Sequence, residues 1–224
     1  KNNIDAVYQI GRKLLDANIQ NAPAASFQTT TPEVLKNVKR DNMKINSVAV
    51  VTQKAKEYNL PIMTELIMGM PGETYNSWLK VIDTMFEHNV INMDIFYLQL
   101  IENSPMNVSD KETFGMETFR AYDYFYETTS DVKQEIDNGT AESINIISSS
   151  STLTEKEMYN LSKYSWFVVG MHSYGVTTLI ADYMYRKADI QYSEFYTALM
   201  EYVQTDPEIG AWFKQHKEGY SLWK

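Results

Sequence analysis

The feature that most constrains the fold is an alternation in the first hundred residues. Stripes of helical period are separated by short apolar runs that show no strict polar alternation. Ile4, Val7, Gly11, Leu14 and Leu15 share one helical face, which predicts a helix to about residue 18. Ala24 to Gln28 reads as a buried strand. Thr31 is placed to cap a helix with Pro32 at its first position, running to about Arg40. Ile45, Val48, Ala49, Thr52 and Ala55 form the next stripe. Leu60 to Met68 is an apolar run broken by Gly69-Met70-Pro71-Gly72. A helix over 73–88 buries Trp78, Ile82, Met85 and Phe86, and Met93 to Ile101 is a further strand. Such alternation predicts parallel βα units whose strands are covered on both faces.

The second half has a different texture. Residues 105–116 read as a loop, 117–130 as an aromatic helix, 144–147 as a short strand, and 148–151 as a polar linker. Thr154 and Glu157 have capping-box spacing and open a long apolar helix with break points at Gly170 or Gly175. Asp206-Pro207 starts a last helix ending near Lys217, and no internal repeat is visible. The fold class is therefore α/β, with a barrel-like part over 1–108 and a mostly helical part over 109–224.

Composition removes several function classes. The 224 residues carry a formal net charge of -9, which opposes nucleic-acid phosphates. There is no cysteine, so disulfides, zinc–thiolate sites and thiol nucleophiles are excluded. No apolar stretch approaches the ~18 residues of a membrane span, and no signal peptide is visible. The expectation is a cytoplasmic protein with a small-molecule substrate and neither nucleic acid nor membrane as partner. His88, His172 and His216 are widely separated, so no metal site is expected, and His172 reads as a core histidine.

Polar residues near the carboxyl ends of the expected strands carry the functional signal, because ligands bind at that end in parallel α/β folds. Gln28 suits hydroxyls or an amide edge. Glu65 interrupts an apolar strand, where a carboxylate needs hydrogen-bond donors such as ribose hydroxyls. Gly69 and Gly72 permit close backbone approach or a sharp turn. Arg40 suits a helix terminus and could hold a carboxylate. Each has an ordinary structural reading when taken singly: a polar strand end, a solvated helix terminus, a loop leading into a cap.

In combination they resemble a known family. Glu65-Leu66-Ile67-Met68-Gly69-Met70-Pro71-Gly72-Glu73-Thr74 resembles the fifth-strand motif of radical S-adenosylmethionine (SAM) enzymes. Ser26-Phe27-Gln28 with Leu35 and Arg40 resembles their fourth strand and following helix, and Asn103-Ser104-Pro105-Met106 the loop after the sixth strand. The likeness is greatest to members with a cobalamin-binding domain. It implies the second half of a (βα) barrel of the TIM-barrel type, with oxidoreductase chemistry using SAM and a [4Fe–4S] cluster, and with cobalamin as a candidate cofactor. It also implies that Ser26 and Gln28 contact SAM, Arg40 meets a carboxylate, Glu65 accepts from ribose hydroxyls, Ile67 packs on adenine and Gly69 lets the backbone approach. The family's cluster-binding cysteines have no counterpart here. The chain therefore reads as the back part of a longer enzyme, inactive alone; a non-catalytic binding module with a degenerate barrel is the alternative. Open barrel edges predict a homodimer.

Overall fold

The computed structural model describes residues 4–19, 25–40, 45–122, 138–139 and 143–222. The first part follows the predicted alternation: α1 (Ile4–Asp16), α2 (Pro32–Asn37), α3 (Ile45–Glu57), β1 (Met63–Met68), α4 (Tyr75–Glu87) and β2 (Asn92–Tyr97). β1 and β2 are parallel, with Glu65 opposite Asp94 and Ile67 opposite Phe96. Residues 25–28 lie along the other side of β1 as an extended segment with one parallel bridge, Gln28 to Leu66, rather than as a full strand. The Gln28 N–H donates to Glu65 O at 2.8 Å, and the Ile67 N–H to Gln28 O at 2.9 Å. A positive φ of 62° at Gln28 then turns the chain and ends the extended run.

After β2 the chain passes a π-helical turn (Met106–Asp110) and a single helical turn, α5 (Lys111–Thr113). The aromatic helix expected over 117–130 is not what forms in its described part. Glu117–Tyr122 is a strand, β3, paired antiparallel with β4 (Ser143–Ser149), while residues 123–130 lie outside the described residues. Thr118, Phe119 and Tyr122 suit a pleated surface, and pairing with the Ile144–Ile147 run decides the outcome over helical spacing. Residues 98–100 join the two ladders: Leu98 donates to Met68 O at 2.9 Å, and Ile147 donates to Leu98 O at 3.0 Å.

The remainder is helical: α6 (Glu155–Val168), a π-helical turn at Val169–Ser173 that includes Gly170, α7 (Thr178–Ala188), α8 (Tyr192–Val203) and α9 (Pro207–Leu222). Thr154 and Glu157 form the predicted capping box at the start of α6. Thr154→Ala is expected to lower the unfolding free energy by about 1 kcal/mol, measured as a shift in urea midpoint at constant slope.

One buried cluster contains Leu66 and Met68 of β1, Trp78, Ile82, Met85 and Phe86 of α4, Leu161 and Tyr164 of α6, and Tyr192 and Tyr196 of α8. The four residues predicted for the buried face of α4 are all in it. The Trp78 indole N–H donates to Ser165 Oγ at 2.9 Å, so its one polar atom is satisfied. The α1 stripe is rotated from expectation. Tyr8 is buried and Val7 is exposed, because Tyr8 stacks near Tyr58 and donates to Val51 O at 3.2 Å. His172 is the core histidine expected: buried, stacked on Phe86 at 3.6 Å, and hydrogen-bonded through Nδ1 to the Tyr196 hydroxyl at 2.7 Å. Burial lowers its pKa to about 4, so the ring is neutral at pH 7. Among the described residues, no helix is long and apolar enough to cross a membrane.

Candidate functional site at the carboxyl end of β1

The two faces of the parallel pair differ. Thr64, Leu66, Met68 and Met93 are buried toward α4 and the helical part. Glu65 and Ile67 alternate with them and are half-buried, and Asp94 and Phe96, their register partners, are exposed. Period-2 alternation puts these four on the second face. A parallel sheet is ordinarily covered on both sides; here the described residues leave the Glu65 side accessible.

Four of the six predicted site residues meet directly. The Ser26 hydroxyl donates to Glu65 Oε2 at 2.5 Å, although 39 residues separate them. Gln28 is bonded through its backbone on both sides of Leu66, to Glu65 and to Ile67. Ile67 follows on the same strand, and Gly69 ends it. Arg40 is placed apart. Its backbone N–H caps α2 through Leu35 O at 2.8 Å, and the residue is exposed.

Gly69 has φ +86°, and a Cβ built there would stand 2.6 Å from Ile147 Cγ2 and 2.9 Å from Met158 Cε. The position therefore admits only hydrogen, both for backbone conformation and for space. Gly72, at φ +84°, is closed in by the Asn37 amide, which itself donates to Pro71 O at 3.0 Å. α2 is thereby tied to the turn that follows β1.

Sequence reasoning read Glu73 as part of a helix start, and the structure corrects this. Thr74 is the cap of α4, paired reciprocally with Ser77. Glu73 is fully buried instead, and its Oε2 accepts the Gly69 N–H at 2.7 Å. Its Oε1 has no hydrogen-bond partner among the described residues. Burial, only partly offset by the Gly69 and Met70 backbone N–H groups, raises its pKa to about 8. The Thr152 hydroxyl donates to the Glu73 carbonyl at 2.7 Å, linking the turn to the loop after β4. No local signal distinguishes this glutamate from a capping one, because its burial is a tertiary outcome while its side chain turns back to the Gly69 N–H.

Asp94 and Phe96 were also not singled out from sequence. Their membership of the Glu65 face follows from the β1–β2 register, which a single strand does not reveal. A cleft of about 680 Å³ lies at the opposite, amino-terminal end of the strands, among Lys56, Asn59, Ile62, His88 and Asn92. None of the six predicted site residues lines it. Among the described residues, no group of three or more His, Asp or Glu is placed to hold a metal ion.

No protein-family model matches the chain. It is 24% identical over 210 residues to 2-(S-pantetheinyl)-carbapenam-3-carboxylate methyltransferase from Streptantibioticus cattleyicolor, covering 93% of this chain and 30% of that protein. It is 24% identical over 224 residues to the cobalamin-dependent radical SAM methyltransferase TokK from Streptomyces tokunonensis, covering 98% of this chain and 32% of that protein. A solved structure of the radical SAM methyltransferase TsrM from Kitasatospora setae, with tryptophan substrate and a SAM analogue bound, is similar over 70% of this chain and 33% of that one. Its TM-score is 0.47 and its identity 15%. Both curated relatives are named as methyltransferases, so these likenesses lend no support to the oxidoreductase class expected from sequence. The chain spans about a third of the length of the curated relatives it matches, one of which is named as a cobalamin-dependent radical SAM methyltransferase.

Proposed function

We propose that this chain is the carboxyl-terminal part of a radical SAM methyltransferase, and that its Glu65 face forms part of the SAM site in the whole protein. The observation that carries the proposal is the meeting of Ser26, Gln28 and Glu65 across two segments far apart in sequence.

The residues fit the ligand. Glu65 is half-buried, and Ser26 occupies one lone pair of Oε2, which leaves the other acceptor positions for ribose hydroxyls. The Ser26 hydrogen bond also fixes the carboxylate, so less rotamer freedom is lost on binding. Ile67, half-buried beside it, offers an apolar surface for adenine. Gly69 is required here by the fold, since any side chain there collides with Ile147. Arg40 stands ready for a carboxylate at the end of α2. A SAM molecule held there would supply either a methyl group or, given one electron from outside this chain, a 5′-deoxyadenosyl radical, each from a separate molecule.

The residues do not fit the iron–sulfur cluster, because the chain has no cysteine to ligate it. We assign no step to the cluster here, and no residue of this chain to cobalamin. The isolated chain is accordingly inactive in SAM cleavage, and the methyl acceptor is a small molecule.

The test uses the longest product of the reading frame, reconstituted anaerobically with iron and sulfide and supplied with a reductant. It is expected to form 5′-deoxyadenosine from SAM. Glu65→Gln is expected to raise KM for SAM about tenfold, as for loss of a hydrogen bond to a charged acceptor, with a smaller effect on kcat. A product that consumes no SAM overturns the proposal in favour of a non-catalytic binding module.

A further inference from the structure

The largest run of exposed apolar side chains lies far in sequence from the Glu65 face, at the start of α7. Tyr174, Val176, Leu179, Ile180 and Tyr183 fall within ten residues, with exposures from 57% at Ile180 to 83% at Leu179. This is not a frayed segment. The Thr177 N–H and hydroxyl both donate to Met171 O, at 2.9 and 3.2 Å. The Thr178 hydroxyl donates to His172 O at 2.7 Å, and the Ser173 hydroxyl to Ile91 O at 2.6 Å. The backbone is held to the core while the large side chains point outward.

Size and charge identify the kind of partner. At about 200 Å² per aromatic side chain and less for each aliphatic one, the exposed parts of these five come to roughly 600 Å², most of the ~800 Å² that each partner contributes to a standard protein–protein interface. Patches of this extent mark interaction sites rather than ordinary surface. Tyr183 lies four residues after Leu179 and three after Ile180, so the three share one helical stripe. A two-fold axis across α7 sets such a stripe against itself. The chain as a whole carries -9, which opposes self-contact in general, but Tyr174 to Ala181 contains no charged residue. The one charged residue within the patch, Asp182, is tied within its own molecule, accepting from the Tyr192 hydroxyl at 2.8 Å and pairing with Arg186 at 3.5 Å.

We infer that the Tyr174–Tyr183 surface is the interface of a homodimer, in which α7 packs against α7 of a second copy. This is a different surface from the open sheet edges that the sequence pointed to.

The experiment is sedimentation equilibrium of the chain from about 1 to 100 µM. The wild type is expected to reach twice its 25.9 kDa mass within that range. Added salt is expected to tighten the dimer, because it screens the net repulsion of two acidic chains. Leu179→Glu and Tyr183→Glu, made separately, are each expected to weaken dimerisation by roughly 30-fold or more, as for loss of an interface hot spot. Both positions are exposed, so the variants should melt as the wild-type monomer does. A wild type that remains at 25.9 kDa throughout overturns the inference. So do charged variants that dimerise like the wild type, which would return the interface to the sheet edges.

Discussion

Gly69→Ala is expected to lower the unfolding free energy by roughly 3 kcal/mol, combining a left-handed backbone penalty of about 1–2 kcal/mol with overpacking of about 1–3 kcal/mol. The two costs have separate origins. The φ of +86° disfavours any side chain at this position, and the new methyl must also displace Ile147 Cγ2, which it meets at 2.6 Å. Met158 Cε, at 2.9 Å, can swing aside at little cost because the thioether chain is flexible. Ile147 cannot, because β-branching and its place in β4 fix it. The measurement is a urea unfolding curve for each protein. A loss below about 0.5 kcal/mol would mean that β4 moves freely relative to the β1 turn.

The second large effect is a dependence of stability on pH set by Glu73. Its carboxyl has an ordinary value of 4.5 and is raised to about 8 in the folded protein, with burial as the main cause. Between those values the folded state binds a proton that the unfolded chain has released. Stability from this group is therefore fully present below about 4.5 and falls as pH rises toward 8. The total change is on the order of 5 kcal/mol, at about 1.4 kcal/mol per pKa unit. Glu73→Gln keeps an oxygen to accept the Gly69 N–H and never ionises. It is expected to flatten the profile over this window and to be more stable than wild type near pH 8. Parallel profiles for the two proteins would show that Glu73 is not the group responsible.

Much of the first half was legible because its elements announce themselves locally. The period of the Trp78–Ile82–Met85–Phe86 stripe names the buried face of α4 without reference to any partner. Thr154 and Glu157 define the start of α6 by chemistry confined to four residues. Gly69 and Gly72 mark a turn because few other residues tolerate positive φ. The string from Glu65 to Thr74 was specific enough to point to radical SAM proteins before any fold was known. What failed had non-local causes. Glu117–Tyr122 carries aromatics at a spacing that suits a helix, yet its pairing with Ser143–Ser149 makes it a strand. Tyr8 takes the buried place expected of Val7 because it meets Val51 of α3 and Tyr58 just beyond it.

The sequence by itself determined the order of the βα units, the helix starts, the absence of cluster ligands and the identity of the polar residues near β1, because each depends on neighbours a few positions away. The tertiary structure decided that Ser26 reaches Glu65, that Glu73 turns inward under the loop at Thr152, that Asp94 and Phe96 share the Glu65 face, and that Leu179 and Tyr183 stay uncovered. Those outcomes depend on register, burial and the meeting of segments tens of residues apart, which no local pattern encodes.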